Sequence, residues 1–366
     1  MKKFWERNKR VIALLIIWRI ILYVIEILSP GVVPLHVGYN GPTPWANHDG
    51  IYYLRLAEFG YFEYSEAFFP FYPLVMNLFS HIIPWNLWLI GSLVSLLSFT
   101  AGILFLHNFL YKTNETSAWW TILFIVCFPT SFFFSAVYST GLFFLLTIMV
   151  FLFARKKLWF WCGISGAFAS ATSIFGVFLF VYAIAEYMSS KPKKILWQDI
   201  GSLCLIPLGL ISYMIFLYMR NGDPLLFFHM QPMFGANRTG NSIILLPQVI
   251  WRYIKILCTA FLKPTPMSYG ISVLEFVMTI GGYIVLWWGY KHKERVQYLL
   301  YGILAITLPT LTGTFSSMPR YLLNVFPLFL ILGRLDNKAI RYTIVGVCVL
   351  TQIVLSAMFL RGWFVS

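Results

Sequence analysis

The carboxylate best placed to do chemistry is Asp49, which begins a short segment with helical spacing. After it, Tyr52, Tyr53 and Leu56 recur at i+3, i+4 and i+7, the spacing of one helix face, and Gly60 is placed to end the helix. Aspartate is common as a helix N-cap, and a positioned carboxylate is also a common general base. A helix N-terminus favours a negative charge in either role. The pattern therefore leaves both roles open for Asp49.

The composition requires lipid as the solvent for most of the chain. Of the 366 residues, 59% are hydrophobic and 11% are charged, and the mean hydropathy is +0.76. Soluble domains carry roughly 25% charged residues. Because a helix satisfies its backbone hydrogen bonds internally, these numbers predict an all-α, polytopic transmembrane protein.

The net charge of +14 is distributed in a way that predicts topology. The basic residues cluster in short breaks between apolar runs, at 2–10, 155–157, 191–194, 291–295 and 334–341. The positive-inside rule assigns such breaks to the cytoplasmic side. We therefore expect a multi-pass protein of the cell membrane with a cytoplasmic N-terminus and an uncleaved first span. No nucleic-acid partner is expected.

The apolar runs predict about nine full spans plus two short half-helices, in a single transmembrane domain over 1–366. The runs lie at 10–28, 86–110, 118–136, 138–154, 196–219, 270–290, 296–313, 320–333 and 342–361. Residues 158–188 are too many for one span and few for two. We expect Gly176 and the preceding Thr172 and Ser173 to break this stretch into the half-helices, which returns the basic cluster after it to the cytoplasm.

This topology leaves two large segments outside, at 29–85 and 220–269, and a short one at 314–319. The first segment is rich in aromatic residues and proline, so we expect it to fold against the membrane. The helix that begins at Asp49 would lie in the interface. Residues 68–73 read Phe-Phe-Pro-Phe-Tyr-Pro, and the two prolines predict a stiff turn that returns the chain to the bilayer.

The sequence carries no pattern typical of a metal or nucleotide site. The five cysteines are scattered through apolar runs without Cys-x-x-Cys spacing, and there is no Asp-x-Asp pair or Gly-rich phosphate loop. We expect neither a metal nor a cofactor.

Taken together, the motifs resemble the GPI mannosyltransferase II (PIG-V-like) family of the superfamily C (GT-C) glycosyltransferases. That family carries a Trp-Asp element, then Tyr-Leu-x-Ile-Ala-x-x-Gly-Tyr, then Phe-Phe-Pro-Leu-Tyr-Pro. The matching positions here are Asp49, Tyr53, Leu56, Ala57, Gly60, Tyr61 and residues 68–73. His48 replaces the residue expected before the aspartate.

Weaker matches extend the resemblance over about residues 45–335. They lie at 128–131, 138–143, 171–176, 221–225 and 319–321. Two positions depart from the family pattern, with Thr140 in place of a glutamate and Ser173 in place of an arginine. These departures suggest a bacterial branch with a different acceptor or sugar.

The resemblance implies a GT-C fold and transfer of a sugar, mannose or another hexose, from a polyprenyl-phosphate donor to a hydroxyl acceptor. The acceptor would be a lipid or a glycan on the extracytoplasmic face, and membrane lipids would surround the site. Asp49 would be the catalytic base. Arg320 would contact the donor phosphate, because Pro319 and Arg320 are placed to open a helix at the outer surface. The predicted substrate-binding residues are His48, Tyr52, Tyr53, Tyr72, Asp223, Arg238, Arg320 and Tyr321.

Several of these residues have a simpler interpretation, and two other functions stay open. Asp223 lies in a Gly-Asp-Pro turn signal, and Arg238 and Arg320 could contact lipid headgroups. The chain could be a transporter or lipid flippase, although no repeat is visible and few charges lie in mid-span. It could also be an accessory scaffold that lost catalysis with the changes at Thr140 and Ser173.

Overall fold

In the computed structural model, the described residues are 2–39, 43–112, 114–190, 196–236, 238–259 and 266–365. Throughout these ranges the chain is helical and contains no β-strand, which confirms the all-α prediction. The helices are α1 (Lys2–Val32), α2 (Asp49–Phe59), α3 (Phe71–Ser80), α4 (Leu87–Tyr111), α5 (Glu115–Val126), α6 (Thr140–Arg155), α7 (Trp159–Thr172), α8 (Phe178–Ser189), α9 (Trp197–Leu203), α10 (Leu208–Asn221), α11 (Leu226–His229), α12 (Leu246–Thr259), α13 (Pro266–Lys291), α14 (Val296–Thr310), α15 (Met318–Tyr321), α16 (Pro327–Gly333) and α17 (Lys338–Leu360).

Four of these helices are long and apolar enough to cross a membrane. They comprise Phe4–Val32, Leu87–Tyr111, Ser268–Lys291 and Lys338–Leu360. A fifth candidate is the pair α9 and α10, which bends by 50° at a short break. The remaining apolar helices are shorter, and the predicted number of nine full spans stays a prediction. The chain is a multi-pass membrane protein by the length and composition of these helices.

The predicted break within residues 158–188 is confirmed. Helix α7 ends at Thr172, a 3-10 turn covers Ile174–Val177, and α8 follows directly. The break centres on Ser173, whose backbone is extended with φ −162° and ψ 147°. The two apolar pieces are thus separate helices, as the length of the run required.

Three sequence-based boundaries are wrong. The stretch 320–333 is not one helix, because a 3-10 turn and a break separate α15 from α16, and Pro327 opens α16. The stretch 118–136 is not one helix either, because α5 ends at Val126. Pro129 follows shortly after and has no backbone N–H to donate to a helical hydrogen bond. The double-proline motif at 68–73 does not end as a turn either. Pro70 is the N-cap of α3, and Pro73 lies in its first turn, where no amide donor is needed.

The core of the protein is aromatic and closely packed. Phe132, Phe133 and Phe134 are each at most 1% exposed, and Phe134 stacks on Phe99 with the ring centroids 4.0 Å apart. Helix α6 approaches α4 so closely that a Cβ at Gly141 would lie 2.2 Å from the carbonyl oxygen of Ser95. This contact fixes the N-terminal end of α6, the end that faces Asp49.

The segment before α2 is tied to the C-terminal ends of α1 and α17. Trp45 donates its indole N–H to Glu26 on α1 at 2.8 Å. The guanidinium carbon of Arg19, also on α1, lies over the Trp45 ring, 4.8 Å from its centroid. The side-chain amide of Asn47 donates to the carbonyl oxygen of Phe359 on α17 at 2.6 Å. Two helices distant in sequence therefore determine where α2 begins.

Candidate active site

Helix α2 begins and ends as the sequence predicts, with one difference at its first residue. Gly60 ends the helix with φ +77°, and Tyr53 and Leu56 are buried on its inner face. The N-cap is His48, with φ +51°, and Asp49 is the first helical residue. Asp49 is therefore not the N-cap, and its carboxylate is available to other partners.

The carboxylate of Asp49 pairs with Arg320. The distance from Arg320 Nη1 to Asp49 Oδ2 is 2.6 Å, and the two side chains are 11% and 27% exposed respectively. The guanidinium lies over the rings of Phe133, Tyr138 and Tyr321, with its carbon 5.2–5.4 Å from each centroid. Three aromatic faces and a carboxylate thus fix its direction.

The placement of Arg320 differs in part from the sequence-based expectation. Pro319 and Arg320 do belong to a helix, but α15 has only four residues and provides no extended helix N-terminus for an anion. Its backbone is held by Thr130, whose hydroxyl donates to the carbonyl oxygen of Pro319 at 2.8 Å. Arg320 faces the candidate base, which the sequence did not predict.

A cavity of about 190 Å³ opens beside this ion pair. Its lining includes five of the residues predicted to form the site, namely Asp49, Tyr53, Arg238, Arg320 and Tyr321. They come from α2, α15 and the segment between α11 and α12. The fold therefore brings these five residues to one cavity, which we call the Asp49 cavity.

Two further predicted residues stabilise the wall of the Asp49 cavity without lining it. The hydroxyl of Tyr72 donates to the carbonyl oxygen of Gly91 at 2.9 Å, which attaches α3 to α4. The ring of Tyr52 stacks on Phe68 and Phe62 at centroid distances of 4.9 and 5.8 Å. Both residues have structural partners, and neither reaches the cavity.

The remaining two predicted residues also lie away from the cavity lining. Asp223 accepts from the backbone N–H of Leu225 at 2.9 Å and pairs with His229 at 2.6 Å, the turn role that its sequence context favoured. His48 packs against the ring of Phe359, and its Nε2 atom is buried. Burial lowers the pKa of the His48 imidazole, an effect that Asp49 partly offsets.

Hydroxyl side chains that were not predicted as site residues line the floor of the cavity. They are Ser139 and Thr140 at the start of α6, and Thr172 and Ser173 at the end of α7. Tyr53 and Ser139 share a hydrogen bond of 2.9 Å between their hydroxyl oxygens. Thr140 and Ser173 are the positions that depart from the PIG-V-like pattern, so the departures could have indicated the floor.

A further part of the cavity lining is mostly aromatic and comes from the segment at 220–269. Phe227, Phe228, Gln231 and Phe234 lie here, on α11 and the 3-10 turn after it. Nothing in the spacing of the three phenylalanines distinguishes them from ordinary apolar residues. Sequence reasoning therefore had no signal for this wall.

The charged groups of the described cavity lining are Asp49, Arg238 and Arg320. Arg238 donates from Nη2 to the hydroxyl of Ser317 at 3.2 Å. Burial raises the pKa of Tyr53, so this side chain is a neutral hydroxyl at physiological pH. One carboxylate and two guanidiniums leave an excess of positive charge in the cavity.

Comparison with known proteins bears on the fold. No family model matches the sequence, and no curated protein matches it. The structure resembles that of ArnT from Cupriavidus metallidurans, solved bound to undecaprenyl phosphate, with a TM-score of 0.53 and 14% sequence identity. The match covers 93% of this chain and 63% of the ArnT chain, so the protein spans about two-thirds of its neighbour's length. The chain therefore shares the fold of ArnT over most of its length.

The PIG-V-like assignment is finer than this comparison reaches and stays a prediction. Within this fold, the Asp49 cavity combines a paired carboxylate, a second guanidinium, a hydroxyl floor and an aromatic wall. In the described ranges, no group of three or more His, Cys, Asp or Glu side chains is arranged to hold a metal ion. A carboxylate is a group that can accept a proton, and guanidiniums are groups that can bind an anion.

Proposed function

We propose that this protein is a membrane glycosyltransferase that moves a sugar from a polyprenyl-phosphate donor to a hydroxyl acceptor. The observation that carries the proposal is the ion pair between Asp49 and Arg320 at the edge of an aromatic, hydroxyl-lined cavity. The GT-C-like fold supports it, because the structural neighbour ArnT was solved with undecaprenyl phosphate bound. The finer assignment, mannose or another hexose, rests on the PIG-V-like motifs alone.

The reaction balances with the groups present. The acceptor oxygen attacks the anomeric carbon of the donor, a new carbon–oxygen bond forms, and the bond from that carbon to the phosphate oxygen breaks. The phosphate leaves with the electron pair as polyprenyl phosphate, and Asp49 accepts the acceptor proton as general base. Arg320 orients the carboxylate, because its guanidinium is held by three rings and bonds Asp49 directly.

Arg238 is the better candidate for the donor phosphate. Arg320 is engaged by Asp49, whereas Arg238 lines the cavity and, among the described residues, forms no ion pair. A guanidinium binds phosphate oxygens through charge-assisted hydrogen bonds. Assigning Arg320 to the base and Arg238 to the leaving group lets the two arginines act on different partners in the same transition state.

The hydroxyl floor suits an uncharged sugar. Ser139, Thr140, Thr172 and Ser173 donate and accept hydrogen bonds without adding charge. The hydroxyl groups of an uncharged sugar would replace their hydrogen bonds to water with hydrogen bonds to these side chains. The loss of the family glutamate and arginine at Thr140 and Ser173 therefore changes the sugar contacts and leaves Asp49 in place.

The proposal is tested with purified protein and a panel of polyprenyl-phosphate sugars, including mannose and glucose. Donor consumption and acceptor glycosylation are followed by mass spectrometry. We expect transfer from at least one donor, and we expect Asp49→Asn to reduce it by roughly 10²-fold or more while the protein still folds. Glu58→Gln is the matched control, because Glu58 is an exposed carboxylate on the same helix.

Three results would count against the proposal. Turnover by Asp49→Asn equal to that of the wild type would show that Asp49 is not the general base. Substrate uptake into proteoliposomes without any transfer would favour the transporter. Wild-type protein that consumes no donor would favour the scaffold.

The side of the membrane on which Asp49 lies is tested separately. Glu63, in the turn after α2, is exposed and charged, so a cysteine introduced there in a cysteine-free background should meet a water-soluble reagent. We expect a membrane-impermeant maleimide to label intact cells, because the positive-inside pattern assigns this segment to the outside. Labelling only after permeabilisation would place the site in the cytoplasm and contradict the proposed topology.

A further inference from the structure

A buried carboxylate that the proposed reaction does not use lies behind the Asp49 cavity. Glu275 on α13 is 4% exposed. It accepts a hydrogen bond from the Tyr253 hydroxyl at 2.7 Å and one from the backbone N–H of Ser317 at 3.3 Å. A carboxylate in such a place is costly unless its partners are fixed, so its partners indicate its role.

Ser317 connects both cavity arginines. Its hydroxyl accepts from Arg238 Nη2 at 3.2 Å, and its carbonyl oxygen accepts from the backbone N–H groups of Arg320 and Tyr321 at 3.1 and 3.0 Å. Ser317 has φ +67°, a left-handed conformation that a residue other than glycine adopts at a cost. The turn that carries Arg320 therefore begins at a residue whose backbone conformation has a cost, which its hydrogen-bond partners can offset.

The amphipathic helix α12 holds the same turn from its other side. The Tyr253 hydroxyl, besides donating to Glu275, accepts from the backbone N–H of Phe315 at 3.1 Å and lies 3.1 Å from the hydroxyl of Thr314. Arg252 donates to the carbonyl oxygen of Gly313 at 2.9 Å. Glu275 thus closes a network that joins α12, α13 and the turn before α15.

We infer that Glu275 is a positioning residue that orders the turn at Ser317 and thereby places Arg238 and Arg320 in the Asp49 cavity. The chain of contacts is short, because one carboxylate oxygen holds the Ser317 amide, and Ser317 bonds both arginines. The part of this inference that concerns donor binding rests on the proposed function. The ordering of the turn does not.

The test compares Glu275→Ala and Glu275→Gln with the wild type. Glutamine keeps one acceptor oxygen for Ser317 but places an amide nitrogen opposite the Tyr253 hydroxyl, so it should retain part of the function. Glu186→Gln is the matched control, because Glu186 is also buried and paired, but its partners Arg155 and Arg295 lie outside both the turn at Ser317 and the cavity lining.

Two measurements are made on each full-length protein in detergent. Hydrogen–deuterium exchange follows peptides that cover residues 313–321, and binding of undecaprenyl phosphate is titrated in the absence of acceptor. For Glu275→Ala we expect faster exchange in these peptides and an affinity lowered by roughly tenfold or more, the effect of losing a hydrogen bond to a charged group. Glu275→Gln should lie between Glu275→Ala and the wild type. Glu186→Gln should change neither quantity beyond about twofold.

Steady-state kinetics separates positioning from general destabilisation. A lost alignment of Arg238 and Arg320 raises the KM for donor and lowers kcat together, whereas partial unfolding lowers the active fraction and leaves KM unchanged. Unchanged exchange in Glu275→Ala would overturn the inference whatever the activity. Faster exchange with wild-type affinity would overturn the positioning role. If the wild type binds no lipid phosphate, the proposed donor fails, and the exchange data still decide whether Glu275 orders the turn.

Discussion

Arg320 donates to the carboxylate of Asp49 across 2.6 Å, although 271 residues separate the two in sequence. Asp49 begins α2 in the first large segment, and Arg320 lies on α15 near the other end of the chain. The candidate base is therefore held by a cation that only the assembled bundle supplies. Each residue limits where the other can lie, which makes the pair a measurable unit of the fold.

The pair predicts coupled effects on stability. Arg320→Gln leaves a half-buried carboxylate without its guanidinium, so we expect it to lower the free energy of unfolding by about 1.5–3 kcal/mol. Asp49→Asn should cost less, because the amide oxygen still accepts from the guanidinium. The loss in free energy of unfolding for the double variant, Arg320→Gln with Asp49→Asn, should be smaller than the sum of the two single losses by about 0.5–3 kcal/mol. Unfolding followed in detergent measures all three, and strict additivity would mean that the two side chains do not interact.

The floor of the Asp49 cavity predicts that an arginine at position 173 is harmful here. Ser173→Arg restores the residue type of the PIG-V-like pattern, but it places a long cation in a cavity of about 190 Å³. We expect transfer to fall at least tenfold, roughly the effect of an ill-fitting group at a positioned site, with little change in thermal stability. Ser173→Ala should stay within about threefold. Increased transfer by Ser173→Arg would instead mean that the family contact can still form.

The contact between α4 and α6 predicts a position that does not tolerate a methyl group. A Cβ at Gly141 would lie 2.2 Å from the carbonyl oxygen of Ser95, so Gly141→Ala must separate the helices. We expect a loss of about 1–3 kcal/mol, typical of overpacking. Gly201 is the control, because a Cβ there meets nothing within 4 Å, and its replacement by alanine should be neutral or slightly stabilising. Equal melting temperatures for the two variants would contradict the close approach.

The buried imidazole of His48 predicts a loss of stability in mild acid. Burial lowers the pKa of His48 in the folded protein, and the unfolded imidazole titrates near 6.5, about the ordinary value for histidine. A group whose folded pKa is depressed contributes its stability above the unfolded pKa and loses it as the pH falls below that value. We expect the melting temperature to fall between pH 7.5 and 5.5, and to fall less in His48→Asn.

His292 provides the control for this titration. It is exposed, so His292→Asn should keep the wild-type dependence on pH. The same acid dependence in the wild type and in His48→Asn would assign the effect to another group.

Much of the secondary structure could be predicted because its causes are local. Helix α2 follows from the spacing after Asp49 and the glycine at its end. The break after α7 follows from the length of an apolar run that exceeds one span. The failures at 118–136 and 320–333 share one cause, since Pro129 and Pro327 interrupt runs that composition alone treats as continuous. Hydropathy indicates whether a segment prefers lipid or water. It does not indicate whether the backbone N–H groups of that segment can continue a helix.

The candidate site divides in the same way. Asp49, Tyr53, Arg238, Arg320 and Tyr321 were predicted and line one cavity, whereas His48, Tyr52, Tyr72 and Asp223 were predicted and have other partners. A motif marks a stretch of chain and cannot say which of its side chains faces inward. The direct contact of these residues with a substrate stays a prediction.

The sequence by itself determined that this is an all-α membrane protein and that a helix begins at Asp49, the residue on which the predicted chemistry depends. Those conclusions depend on composition and on spacing within a few turns of chain. The tertiary structure decided that Arg320 pairs with Asp49, that hydroxyls form the cavity floor, and that Glu275 accepts a hydrogen bond from the Ser317 amide. These relationships join residues far apart in the chain, and their distances exist only once the helices have packed.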